Sequence, residues 1–140
     1  MIYMICGVPG SGKTWVCKQL EDSYEYIAHD DYIDDKELYF RMLESADADD
    51  VPVITECPFK ERPMRERLES MRCKVKPVFI VEDPEVIEAR YRRRESGKAL
   101  PKSSVIRAST IRNRAEEWKA PFGTSEWVLN YLMDERKKHE

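Results

Sequence analysis

Apolar, β-rich runs recur along the chain at residues 2–6, 26–28, 51–55 and 75–81. Each gives way to a stretch that reads as a helix or as a loop and helix, the alternation expected of crossover units feeding a parallel sheet. Four strands are read in this way, and a short fifth is placed near Phe122.

The helical stretches carry their own patterning. Residues 13–20 form the first, and residues 34–44 set Leu38 and Met42 beside Tyr39 and Leu43 on adjoining faces. Residues 63–71 place Met64, Leu68 and Met71 on one core stripe. In EDPEVIEARYRRRESG, Asp83 reads as an N-cap, Pro84 as the first helical residue and Gly97 as the stop, which gives a helix with a basic tip. Ser103 or Ser104 is expected to cap the next helix, whose apolar face holds Val105, Ala108, Ile111, Ala115 and Trp118. After Pro121 and Gly123, Thr124 or Ser125 starts a last helix with Trp127, Val128, Tyr131 and Leu132 turned inward.

Directly behind the first strand lies GVPGSGKT, residues 7–14, which fits G-x-x-x-x-G-K-[ST] in full. Such a loop turns its backbone N–H groups onto phosphate oxygens, which a Cβ at the glycines would obstruct. Gly7, Pro9, Gly10, Ser11 and Gly12 would form the cradle, Lys13 would reach the β and γ phosphates, and Thr14 would offer its hydroxyl to Mg2+. The helix beginning here adds the partial positive charge of its N-terminus. The strand before the loop and the helix after it raise the motif above chance, and the expected ligands are ATP and Mg2+.

In an open parallel sheet the ligand lies beyond the carboxyl ends of the strands, so the next two strand ends matter most. The second ends in AHDDY, and Asp30 or Asp31 can accept the proton of an attacking hydroxyl. A carboxylate here can equally cap the following helix, and the pair allows one for each role. The third ends in VITECPF, which puts Glu56 where a carboxylate near the metal belongs. Arg90 and Arg94, four residues apart, share a helical face and can clamp a transferring phosphoryl group, whereas Arg92 and Arg93 point elsewhere. The basic helix and the Ser96-Gly97-Lys98 that follows read as a lid over residues 90–103, which would keep water from the reacting phosphate.

Charge sharpens this picture. Residues 1–59 hold four Lys/Arg against thirteen Asp/Glu, residues 60–114 hold sixteen against eight, and residues 115–140 hold four against six. The middle of the chain is therefore the anion-facing part. A net charge of −3 and a pI near 5.6 argue against indiscriminate coating of nucleic acid. Cys6, Cys17, Cys57 and Cys73 lack C-x-x-C spacing, and with two histidines they offer no zinc set, so buried packing is expected of them. The apolar start, residues 1–6, is too short for a membrane span or a secretory h-region. A single cytoplasmic domain of 140 residues without membrane association is the expectation.

With the glycine loop, HDDY, TECPF, KVKPVFIVEDPEVIEARYRRR and GKALP in this order, the chain resembles the P-loop kinases, and within them the kinase domain of bacteriophage-type polynucleotide 5′-hydroxyl kinases. The resemblance runs from about Ile2 to Ile111. It implies a three-layer α/β P-loop NTPase fold with a small parallel sheet of four or five strands in the order 2-3-1-4-5 and a helical lid. It also implies Asp30 as general base, Lys13 and Thr14 on phosphate and magnesium, Glu56 near the metal, and a lid arginine on the transferring phosphate, Arg94 first and Arg90 second. Two positions depart from the pattern. Ile33 stands where the family has an arginine for the acceptor phosphate, and the lid arginine aligns only across a one-residue gap. Three activities follow for test: a kinase acting on a nucleic-acid 5′-hydroxyl end, a small-molecule nucleoside or nucleotide kinase, and a regulatory ATPase.

Overall fold

The computed structural model describes residues 1–8, 10–56, 66–67, 70 and 75–138. The predicted helix over residues 63–71 falls largely outside the described residues, as do Pro9, Cys57, Phe59 and Cys73. Among the described residues five strands form one parallel sheet in the order β2-β3-β1-β4-β5: β1 (Ile2–Cys6), β2 (Glu25–Ala28), β3 (Val53–Glu56), β4 (Val75–Ile80) and β5 (Phe122–Gly123). The register runs Ile2↔Val53 and Ile2↔Val75 around the central strand, so the carboxyl ends of β1, β3 and β4 lie side by side. This is the α/β architecture and strand order expected from the sequence.

Alternation along β1 sorts its side chains onto two faces, each covered by helices. On one face Ile2, Met4 and Cys6 join Tyr39, Phe40 and Leu43 of α2 (Lys36–Ala48) and Ile111 and Ala115 of α4 (Lys102–Glu117). On the other, Tyr3 and Ile5 join Val16 and Cys17 of α1 (Lys13–Gln19) and Val128 and Leu132 of α5 (Ser125–Lys138). Three layers result. Cys6 and Cys17 are buried and unbridged, as packing residues should be. Burial, with the Glu56 carboxylate nearby adding to it, pushes the Cys17 thiol far up.

A smaller cluster of Val8, Ile87, Leu100 and Ala108 seats α3 (Pro84–Arg94) beside the glycine loop. Asp83 caps α3 as predicted, its carboxylate accepting the Glu85 N–H at 3.0 Å, with Pro84 opening the helix. Thr124 does the same for α5, accepting the Trp127 N–H at 3.2 Å.

Four local expectations differ from the structure. Ser103 and Ser104 both fall inside α4 rather than at its start: extended Pro101 precedes the helix, and the Pro101 carbonyl accepts the N–H groups of Ser104 and Val105. Neither Asp30 nor Asp31 caps α2, because residues 29–32 close into a 3-10 turn of their own and Asp35 accepts the Leu38 N–H instead. Val105, placed on the apolar face of α4, is exposed. Trp127 faces outward, stacked on Tyr131 at 5.3 Å with its ring laid over Gly123. A Cβ at Gly123 would meet that ring at 2.5 Å, so β5 ends where only a glycine fits beneath the tryptophan.

Candidate active site

Strand ends supply the site. The glycine loop leaves β1 and enters α1, with Ser11 buried and the Lys13 and Thr14 positions opening onto the cleft above the sheet. Gly10 has φ +84°, and a Cβ there would stand 2.8 Å from the Ile87 carbonyl oxygen, so the loop takes a left-handed turn hard against α3. Gly7 leads into the loop and Gly12 closes it ahead of α1.

One cleft of about 410 Å³ is lined by Gly10, Gly12, Lys13, Thr14, Asp30, Glu56, Arg90 and Arg94, together with Val8 and Trp15. Four separate segments deliver these residues, and among them are Asp30 for proton transfer, Thr14 and Glu56 for metal binding, and Arg90 and Arg94 for phosphoryl clamping, as named from the sequence. Asp31 is not among the lining residues. Asp30 extends from the turn after β2 with its side chain 77% exposed.

Glu56, at the end of β3, is nearly buried and held from both sides. Its Oε2 accepts the Thr14 hydroxyl at 3.2 Å and its Oε1 accepts the Tyr26 hydroxyl at 2.5 Å. Burial and the carboxylate together drive the Tyr26 phenol far above its ordinary value, so Tyr26 acts here only as a donor. Tyr26 escaped the sequence reading. The signal was there in the register: β2 pairs with β3 so that Ala28 faces Glu56, which puts Tyr26 on the same side of the sheet one step back, within diagonal reach.

Arg90 and Arg94 both turn to the cleft, as their spacing requires. Arg90 Nη1 donates to the Ser11 carbonyl at 3.1 Å and lies 3.7 Å from Glu82 Oε1. That same oxygen accepts both the N–H and the hydroxyl of Ser125, at 2.8 and 2.9 Å. Glu82 thus ties the end of β4, α3 and the start of α5 to the glycine loop, a junction that no local pattern announces. Arg94 is looser: its guanidinium sits over the Tyr91 ring at 5.3 Å and pairs with Glu95 at 3.1 Å while remaining mostly exposed. An exposed pair of this kind contributes about 0–1 kcal/mol, so Arg94 is readily redirected. Arg92 pairs with Glu88 on the outer face, as expected.

A second hollow of about 680 Å³ opens beside the first and shares Gly12, Trp15 and Arg90 with it. Its other walls are Glu82, Val86, Thr124, Ser125 and Glu126.

The donors suit the expected ligands. Thr14 and Glu56 present hard oxygens to the cleft, and among the described residues no cluster of three or more His, Cys, Asp or Glu could cage a metal on its own. That combination fits Mg2+, which keeps several waters and shares its shell with substrate phosphates, better than a transition metal.

Solved structures with a similar fold include kinases of several kinds. A sugar kinase from Janibacter sp. HTCC2649 is 22% identical over 95% of this chain and 92% of its own, with a TM-score of 0.64. The fold is that of the P-loop kinases. A shikimate kinase from Acinetobacter baumannii, solved with shikimate, is 16% identical over 99% of this chain and 94% of its own, at a TM-score of 0.61. A chain of the Pnkp1/Rnl/Hen1 RNA repair complex is 20% identical over 83% of this chain and 45% of its own, at 0.59. No protein-family model matches the sequence, and no curated protein does so significantly. Among the described residues no helix is long and apolar enough to cross a membrane.

Proposed function

We propose that the chain is an ATP-dependent kinase that transfers the γ-phosphoryl group to a hydroxyl of a nucleic acid, in the manner of a polynucleotide 5′-hydroxyl kinase. The observation that carries the phosphotransferase reading is the single cleft into which Lys13, Thr14, Asp30, Glu56, Arg90 and Arg94 converge. The basic central segment and the sequence resemblance support the polymeric acceptor, and a chain of an RNA repair complex shares the fold.

In this reading the glycine loop and Lys13 hold the triphosphate, with Arg90 fixing the loop through the Ser11 carbonyl. The magnesium held by Thr14 and Glu56 would neutralise charge on the phosphate oxygens. Asp30 takes the proton of the acceptor hydroxyl as its oxygen bonds to the γ-phosphorus, and the bond to the bridging oxygen breaks to release ADP. Arg94, freed from Glu95, meets the charge spreading over the equatorial oxygens. The hollow beside Val86, Thr124 and Trp15 would receive the base. The whole chain would work as one catalytic domain, with residues 90–103 closing over the site.

A second reading, a small nucleoside or nucleotide kinase, is favoured by the acceptor side of the cleft. There Asp30, Asp31, Asp34 and Asp35 stand exposed beside Lys36, Glu37 is paired with Arg67 at 3.0 Å, and Ile33 is 58% exposed where the resemblance would have a phosphate-binding arginine. Incubation with γ-labelled ATP, Mg2+ and a panel of acceptors separates the readings: a 5′-hydroxyl oligonucleotide, nucleosides, nucleoside monophosphates and no acceptor. Label on the oligonucleotide supports the first, label on a monomer the second. Phosphate released without acceptor would replace both with an ATPase.

A further inference from the structure

His29 is 6% exposed, and neither of its ring nitrogens has a hydrogen-bond partner. Buried polar groups are nearly always paired, so an imidazole left open at both nitrogens calls for a partner that arrives later. The nearest is next door: His29 Nδ1 lies 3.9 Å from Asp30 Oδ1. That is too long for a hydrogen bond, yet short enough for a small rotation of the exposed Asp30 side chain to close it. Catalytic hydrogen bonds are often long in an empty site and tighten when substrate is bound.

The ring itself is held firmly. Tyr39 meets it edge-on at 5.0 Å and 87°, and the Tyr39 hydroxyl is shared with Thr55 at 2.7 Å. Charges reach His29 from every side: Asp30 on its own turn, Lys36 at the start of α2, Glu56 at the end of β3 and Lys13 at the start of α1. Burial outweighs the two carboxylates, and the imidazole stays neutral, with one N–H to give.

We infer that His29 is the positioning residue for Asp30, its Nδ1–H donating to Oδ1 in the loaded site and leaving Oδ2 to take the acceptor's proton. This rests on the proposed role of Asp30 as base. His29 keeps its own proton throughout, and the proton lost by the hydroxyl ends on Asp30. A neutral donor suits the task better than an arginine or lysine would, because it fixes the carboxylate without stripping its basicity through a full positive charge.

Two substitutions and one spectrum test this. His29→Asn returns an N–H near the Nδ1 position, whereas His29→Leu fills the space without a donor. His29→Leu is expected to lower kcat by about 10- to 100-fold with KM for ATP unchanged, and His29→Asn to recover most of the loss. Equal loss in both variants, or full activity in His29→Leu, overturns the inference. Independently of turnover, 15N NMR of the parent with Mg-ADP and an unreactive acceptor reads the tautomer directly, since His139 is the only other histidine. A protonated Nδ1 is expected, and a protonated Nε2 overturns it. If the parent phosphorylates nothing, the kinase reading fails while the spectrum still decides whether the bond forms.

Discussion

Thr14 Oγ1 and Glu56 Oε2 are 3.2 Å apart, across the gap between the end of the glycine loop and the end of β3. Tyr26 holds the other Glu56 oxygen, so the carboxylate has one fixed orientation toward the cleft. Glu56→Gln is expected to reduce transfer about 10- to 100-fold and to raise the Mg2+ concentration needed for half-maximal rate. Tyr26→Phe should shift the same requirement by a smaller factor. A magnesium titration of initial rates checks both, and an unchanged requirement in Glu56→Gln removes that residue from the metal site.

Lys13→Ala should cost transfer about 10²- to 10³-fold, because positioned charge is most of what such a site supplies. Asp30→Asn should cost about 10²- to 10⁴-fold while Mg-ATP binding, followed by calorimetry, stays near the parent level. Parental turnover in Asp30→Asn would shift the base to another group, with Asp31 the next to change.

Ile33 stands exposed three residues after Asp30. Ile33→Arg is expected to lower KM for acceptors carrying a phosphate next to the reacting hydroxyl, by about 10- to 150-fold if one charge-assisted hydrogen bond forms. Acceptors without that phosphate should be unaffected. Rates measured on matched oligonucleotide and nucleoside acceptors make the comparison.

At Gly123 an added methyl would run into the Trp127 ring. Gly123→Ala should destabilise the fold by about 1–3 kcal/mol, read as a lower urea midpoint with unchanged slope. Combining it with Trp127→Ala should recover part of that loss. Strict additivity of the two would show that the ring and the glycine do not meet.

Burial holds the His29 imidazole below its ordinary value of about 6.5. Between the folded-state value and 6.5 the unfolded chain binds more protons than the folded one, so stability falls as the pH drops through that window. Above 6.5 this contribution is flat. Urea unfolding of the parent and of His29→Leu at pH 7.5 and 5.5 should show the steeper acid loss in the parent.

Much of this molecule could be read from the chain because the relevant forces are local. Strand ends follow from runs of apolar residues, the glycine loop is a contiguous pattern, and Asp83 with Pro84 declares a helix start within two residues. The convergence of Lys13, Asp30, Glu56 and Arg90 then follows from the parallel sheet, which brings strand ends to one edge. What escaped depends on partners distant in sequence. Glu82 finds Ser125 only once α5 has docked beside β4, and Tyr26 finds Glu56 only through the β2–β3 register. Trp127 sits at a position whose helical periodicity points inward, yet it folds over the edge strand, because a two-residue β5 leaves Gly123 bare.

The contact between Gly10 and the Ile87 carbonyl reaches beyond the loop itself. It pins α3 near its root, so the helix behaves as a cantilever rather than a door hinged at Pro84. Arg90 ties the helix to the loop once more through the Ser11 carbonyl, and four residues separate it from Arg94, which at about 1.5 Å each carries the free end roughly 6 Å past that support. A slight flexing at the fixed end is therefore multiplied at the arginine, which in the proposed reaction would reach the phosphates while the loop stays still.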